Sequence, residues 1–241
     1  MEKMRARQVA LKNNGSGASA RFWKPQEGEQ TVRIVPPSSG DPFRDYWFHY
    51  NVSEDGSFLS PKKNFGEDCP LDSFVRQLWK EGTEESKRMA KKLSARQRFF
   101  ASVVVRGEEA EGVKVWGFGK RAYETLLNLV LNPEYGDITD SETGIDLVVH
   151  YEKPAGASFP ETKITPRRRS TPLHKDEARS AELLGDIPDF DELFANSRKT
   201  TVEVQGILDN FLNGAVDEVT ATNTSSTTES AVDKAFNELL S

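Results

Sequence analysis

The sequence predicts a mainly β fold with inserted helices (α+β), in which five to six strands form a partly open barrel. Three observations predict it. Runs rich in β-branched and aromatic residues recur between Thr31 and Ser170, bounded by Gly, Pro and acidic turns. Twice the apolar spacing changes from the period of a strand to that of a helix. The resulting order of strands, helix, hairpin, helix and strands suits a small barrel of the OB type.

Each element has a local reason. "TVRIVPP" (31–37) and "DYWFHYNV" (45–52) read as strands, with "SEDG" (53–56) as a hairpin turn. After Cys69 the residues Leu71, Phe74, Val75, Leu78 and Trp79 fall at helical spacing, which predicts a helix anchored by Leu71, Phe74, Leu78 and Trp79. Gly82 breaks or bends it, and a more polar helix runs from Glu84 to Leu93. "RFFASVVVRG" (98–107) and "GVKVWGFGKR" (112–121) make a hairpin across the acidic turn "EEAEG". "AYETLLNLVLN" (122–132) reads as a helix ended by Pro133, and "GIDLVVHYEKP" (144–154) and "ETKITPRRRS" (161–170) as two further strands.

Composition divides the chain further. Residues 1–20 are polar and basic-leaning and read as a flexible arm, and 21–174 as the barrel core. Residues 175–216 read as an acidic extension of short helices. Residues 217–241 read as a disordered acidic tail ending in an interaction segment. Net charge is −6, yet residues 181–241 hold twelve acidic and three basic residues. The first 180 residues therefore carry +3, a field that an acidic tail can mask. The single cysteine excludes an intramolecular disulfide, and no apolar run approaches the roughly 20 residues of a membrane helix. The N-terminus lacks the apolar stretch of a secretory signal, so a soluble, intracellular protein is expected, with no membrane association.

Nothing in the sequence points to catalysis. His49, His150 and His174 sit in no catalytic motif, and there is no phosphate loop, nucleophile elbow or paired zinc-ligand motif. A non-enzyme without cofactor is expected. What stands out is the alternation Lys114, Trp116, Phe118, Lys120, with Val113, Val115, Gly117 and Gly119 between. Single-stranded nucleic acid is bound by basic grooves that follow phosphates and by aromatics on which bases stack. Arg98 and Phe100 alternate likewise on the hairpin partner, and Lys163, Thr165, Arg167 and Arg169 on the last strand. Lys62 and Lys63 lie in a loop, and Arg121 follows Lys120. Trp116 and Phe118 could instead face the core, but Lys114 and Lys120 would then be buried at high cost, so the exposed arrangement is expected. Three consecutive arginines (167–169) in a strand cannot all face one way, so at most two share a groove.

From about Thr31 to Pro154, these segments resemble the single-stranded DNA-binding proteins of T-even phages and their relatives. "RFFASVVVRG", the acidic turn and "GVKVWGFGKRAYETLLNLV" look like that family's central hairpin and its "FGK" turn into a helix. "CPLDSF" resembles its "CPxC" segment. The resemblance implies an OB-fold core, cooperative single-stranded DNA binding, and an acidic tail that recruits replication and recombination proteins. It also implies action in the cytoplasm of an infected bacterial host. The family's best-known members hold zinc with one histidine and three cysteines. Here Cys69 matches one ligand, Asp72 stands at the next cysteine position and no other cysteine exists, so no zinc is expected. The N-terminal arm carries Lys3, Arg5, Arg7 and Lys12 but lacks the family's compact basic-then-Ser/Thr run, and "RRRST" (167–171) has that composition elsewhere.

The leading reading is therefore a sequence-nonspecific coat for single strands. An interaction adaptor with an OB-like domain and an RNA-binding OB protein are the alternatives. In the last segment Val232, Phe236, Leu239 and Leu240 share one helical face, which suits a partner groove or a terminal helix packed on its own domain.

Overall fold

The computed structural model describes residues 21–37, 40–53, 56–157 and 159–217. The arm 1–20 and the segment holding Val232, Phe236, Leu239 and Leu240 lie outside the described residues. The strands are β1 (Phe22–Trp23), β2 (Gly28–Ile34), β3 (Arg44–Ser53), β4 (Gly56–Leu59), β5 (Arg96–Val105), β6 (Lys114–Phe118), β7 (Ile145–Glu152) and β8 (Glu161–Ser170). The helices are α1 (Pro61–Phe65), α2 (Pro70–Glu81), α3 (Glu84–Leu93), α4 (Lys120–Val130), α5 (Glu177–Gly185), α6 (Phe190–Leu193) and α7 (Thr201–Asp217). The chain is mainly β with inserted helices, as its sequence predicts. The short β1 and β4, and α1 in place of the expected loop at Lys62 and Lys63, are additions. Among the described residues no helix is long and apolar enough to cross a membrane.

Two compact units emerge, one of residues 21–45 and 99–190, the other of residues 46–98 and 191–217. In the first, the strand order is β1-β6-β5-β2-β7-β8, with β1 parallel to β6 and the other neighbours antiparallel. One face of this sheet is the main core. Val32 and Ile34, then Phe99, Ala101, Val103 and Val105, then Trp116 and Phe118, then Leu147 and Val149 all point there, and Ala122 and Leu126 of α4 cover them. The other face carries Val35, Val104 and Val113, closed over by Leu173 and by Leu183 of α5. Residues beyond 174 thus supply part of the core of this unit.

The main core and its α4 cover correct the expectation for β6. Trp116 is 1% exposed, Phe118 4% and Phe100 1%, so these rings are core residues and form no exposed stacking face. Trp116 packs edge-on against Trp23 at 5.6 Å between ring centroids. Phe100, on the opposite face, lies over Gly117, where a Cβ would come within 3.0 Å of its ring. Neither lysine is buried unpaired, for a local reason. Lys114 begins the strand and its ammonium reaches Glu111 at 2.9 Å, a side chain that lays its stem along the core and keeps its charge paired. Lys120 is not in the strand at all: Gly119 caps α4, and Lys120 opens that helix with its side chain 76% exposed.

The second unit joins the β3–β4 hairpin to helices. Val52, Phe58, Cys69, Leu71, Val75, Leu78, Ala90, Leu93, Val204 and Leu208 form its core. The α2 face is close to expectation, with Leu71, Val75 and Leu78 inside and Phe74 half-buried, but Trp79 is exposed. Pro70 at the first turn starts α2, and Gly82 at φ 72° ends it. The Thr83 hydroxyl caps α3 by accepting the Ser86 amide.

Candidate nucleic-acid interface

In the first unit the last strand builds a basic cleft. Among the described residues β8 pairs with β7 alone, and its Ile164 packs on the main core. Alternation turns Lys163, Thr165 and Arg167 to the exposed face. Arg167 donates to the Thr31 hydroxyl of β2 at 3.1 Å. Around this point Thr31, Arg106, Asp146, Arg167, Arg168, Arg169 and Thr171 line a cleft of about 400 Å³. All three consecutive arginines share it, contrary to the expectation of two. The cause is an irregularity in the β7–β8 ladder: Leu147 pairs with Pro166 but Ile145 with Ser170, so extra residues on β8 break the alternation.

Arg33 supports the cleft from within. Fully buried, it donates to Asp146 at 3.2 Å and to the Thr171 hydroxyl at 3.3 Å, and also to the carbonyls of Asp140 and Thr171. Arg106 grips the same Asp146 oxygen at 2.7 Å. The one carboxylate in the lining is therefore claimed by two guanidinium groups, and the lining as a whole is cationic. Gly144 closes the supporting loop, since a Cβ there would meet the Asp140 carbonyl oxygen at 2.5 Å. Sequence reasoning missed Arg33 and Arg106. The available signal was an arginine amid "TVRIV", a charge inside an apolar run that requires buried partners.

The other predicted cations lie elsewhere. Lys114 pairs with Glu111, and Lys120 and Arg121 sit at the start of α4, with Lys120 3.7 Å from Glu124. None of the three lines the cleft. Lys163 reaches Glu152 at 3.4 Å on the same face as Arg167. Arg98 belongs to the second unit, where its charge lies near Tyr50. Burial pushes the Tyr50 phenol up to about 12 against the pull of Arg98 and Arg96.

Also in the second unit, α1 carries Lys62 and Lys63 among aromatics that sequence reasoning passed over. The Lys63 ammonium lies 5.2 Å from the Trp47 ring centroid, and the Arg198 guanidinium 4.1 Å from that of Phe65. Phe65 is 38% exposed. The Asn64 side chain accepts the Trp47 amide at 2.9 Å and donates to the Trp47 carbonyl at 2.8 Å, tying α1 to β3. "PKKNF" read as a loop hid this patch, which has the cationic and aromatic composition expected on β6.

Comparison with known families decides the lineage. The family model described as "gp32 DNA binding protein like" matches residues 26–206. The chain belongs to this family of single-stranded DNA-binding proteins. No curated protein matches it. Membership raises the question of zinc, and the donor set answers it. His49, Cys69 and Asp72 bring one ligand atom each within 4.8 Å of one another. A closed structural zinc site takes four donors, usually with several thiolates. This cluster offers one thiol, one imidazole and one carboxylate, and the Asp72 oxygen is already engaged by the Ser60 hydroxyl at 2.7 Å. Burial, with the Asp72 carboxylate, pushes the Cys69 thiol up to about 11, so it keeps its proton near neutrality. These residues do not fit a structural zinc.

Proposed function

We propose that this chain is a sequence-nonspecific single-stranded DNA-binding protein of a phage-type replication and recombination system. On this reading it coats and protects exposed strands in the cytoplasm of an infected bacterial cell. The observation that carries the reading is the cleft lined by Arg106, Arg167, Arg168 and Arg169 at the end strand of the sheet. Guanidinium groups are suited to bidentate phosphate contacts, and an open cleft beside an end strand lets a chain of phosphates pass through. Base stacking falls to the half-exposed aromatics of the second unit, Trp47 and Phe65, whose cationic neighbours favour a nucleobase over an apolar partner. The protein binds and does not catalyse. Cooperative self-association on DNA and recruitment of replication or recombination proteins through the acidic tail belong to the same proposal.

The test is a titration of labelled poly-dT, the matching RNA and duplex DNA at two salt concentrations. Affinity for poly-dT should exceed that for duplex and fall with salt, with a slope of about −0.7 per neutralised phosphate. Equal affinity for the RNA would favour an RNA-binding role. No salt-dependent affinity for any of the three would leave the adaptor reading.

A further inference from the structure

The cluster that fails as a zinc site is complete as a hydrogen-bond network. The Leu93 carbonyl can only accept, so the contact at 2.9 Å places a proton on His49 Nδ1. In the neutral ring Nε2 is then an acceptor, and the Cys69 sulfur lies 3.8 Å from it with a thiol proton to offer. The sulfur in turn accepts the Asp72 amide at 3.5 Å, which caps α2. Asp72 Oδ2 accepts the Ser60 hydroxyl at 2.7 Å and lies 3.5 Å from His49 Nε2. Ser60 completes the path, since its oxygen accepts the Lys63 amide at 3.1 Å and caps α1. His49, Ser60 and Cys69 are almost wholly buried, so the net cost of breaking any link is that of an unpaired buried polar group.

We infer that His49, Ser60, Cys69 and Asp72 form a metal-independent clamp, which holds the start of α2 to β3 and α1 by hydrogen bonds where relatives hold a metal ion. The geometry assigns Asp72 and Ser60 the further role of positioning residues. They touch no ligand themselves, but they set the first turn of α1 and so the placement of Lys62 and Lys63. The consequence for DNA rests on the functional reading above, whereas the clamp itself does not.

The experiment uses the full chain, purified without chelator. Metal analysis should find well under one equivalent of zinc, and neither chelator nor added zinc should move the melting temperature. Asp72→Ala and Ser60→Ala should each lower it by several degrees. Both should also speed hydrogen exchange at the Lys63 amide, and Ser60→Thr, which keeps the hydroxyl, should restore slow exchange. On poly-dT, either Ala variant should flatten the salt slope, and adding Lys62→Ala with Lys63→Ala to it should flatten it by less than that pair does in the native chain. Stoichiometric zinc whose removal lowers the melting temperature would overturn the clamp. Unchanged Lys63 exchange in both Ala variants would overturn the positioning role. Should the native chain bind no oligonucleotide, the functional reading fails, and the metal, melting and exchange results still decide the clamp.

Discussion

β6 and β8 belong to the same sheet and carry similar patterns, cations alternating with other residues, yet they have opposite fates. β6 lies between β1 and β5, and both of its faces are covered, one by α4 and one by residues 173–183. Among the described residues β8 has β7 as its one strand partner, and the side chains of its outward face are exposed. An alternating pattern states which residues share a face. It does not state what covers that face, and cover decides whether an aromatic ring becomes core or platform. The energies point the same way: losing a buried Phe or Trp costs about 3–5 kcal/mol, while stacking on one base returns about 1–3 kcal/mol.

Trp116 is the position where the contrast between β6 and β8 has its largest expected effect. Trp116→Ala should destabilise the fold by about 3–5 kcal/mol in urea denaturation, because it empties a site between Trp23 and Phe118. A stable variant with weakened DNA binding would restore the exposed reading of β6. At β8 the opposite pattern is expected. Replacing Arg167, Arg168 and Arg169 together with Ala should leave the melting temperature nearly unchanged. It should flatten the slope of log K against log salt by about 0.7 for each phosphate that is no longer neutralised. Unfolding of that variant would show the arginines to be structural.

A buried charge in the second unit extends the contrast. Burial alone would raise the Asp72 pKa, but the neighbouring His49 ring and the hydrogen bond from the Ser60 hydroxyl outweigh it and hold the value at about 2. The folded-state value lies below the unfolded one, so this stabilisation is fully present above about pH 4 and is lost as pH falls through about 2. Its size is about 2 kcal/mol, and Asp72→Asn should remove most of that pH dependence from acid unfolding curves. The smallest effect is expected at the start of α4. Lys120→Ala should change stability by less than about 0.5 kcal/mol. It should leave the salt slope where it was, since Lys120 lies outside the cleft lining. A flattened slope there would widen the interface to α4.

Local chemistry made much of the molecule legible from sequence alone. Pro70 and Gly82 delimit α2, β-branched runs mark β5 and β7, and the alternation of β6 correctly pairs Trp116 with Phe118 on one face. The composition of 161–170 sufficed to pick out Lys163, Arg167 and Arg169 on an exposed strand. These features depend on residues within a turn or a strand of one another, where sterics and period are set. The tertiary structure alone decided that both faces of β6 are covered, because the face opposite Trp116 and Phe118 is closed by Leu173 and Leu183, far along the chain. It also decided that a ladder irregularity gathers three arginines, that Arg33 stands behind them, and that Asp72 meets Ser60 and His49. Each of these joins distant segments, and its energy comes from burial and partner geometry that no local period encodes.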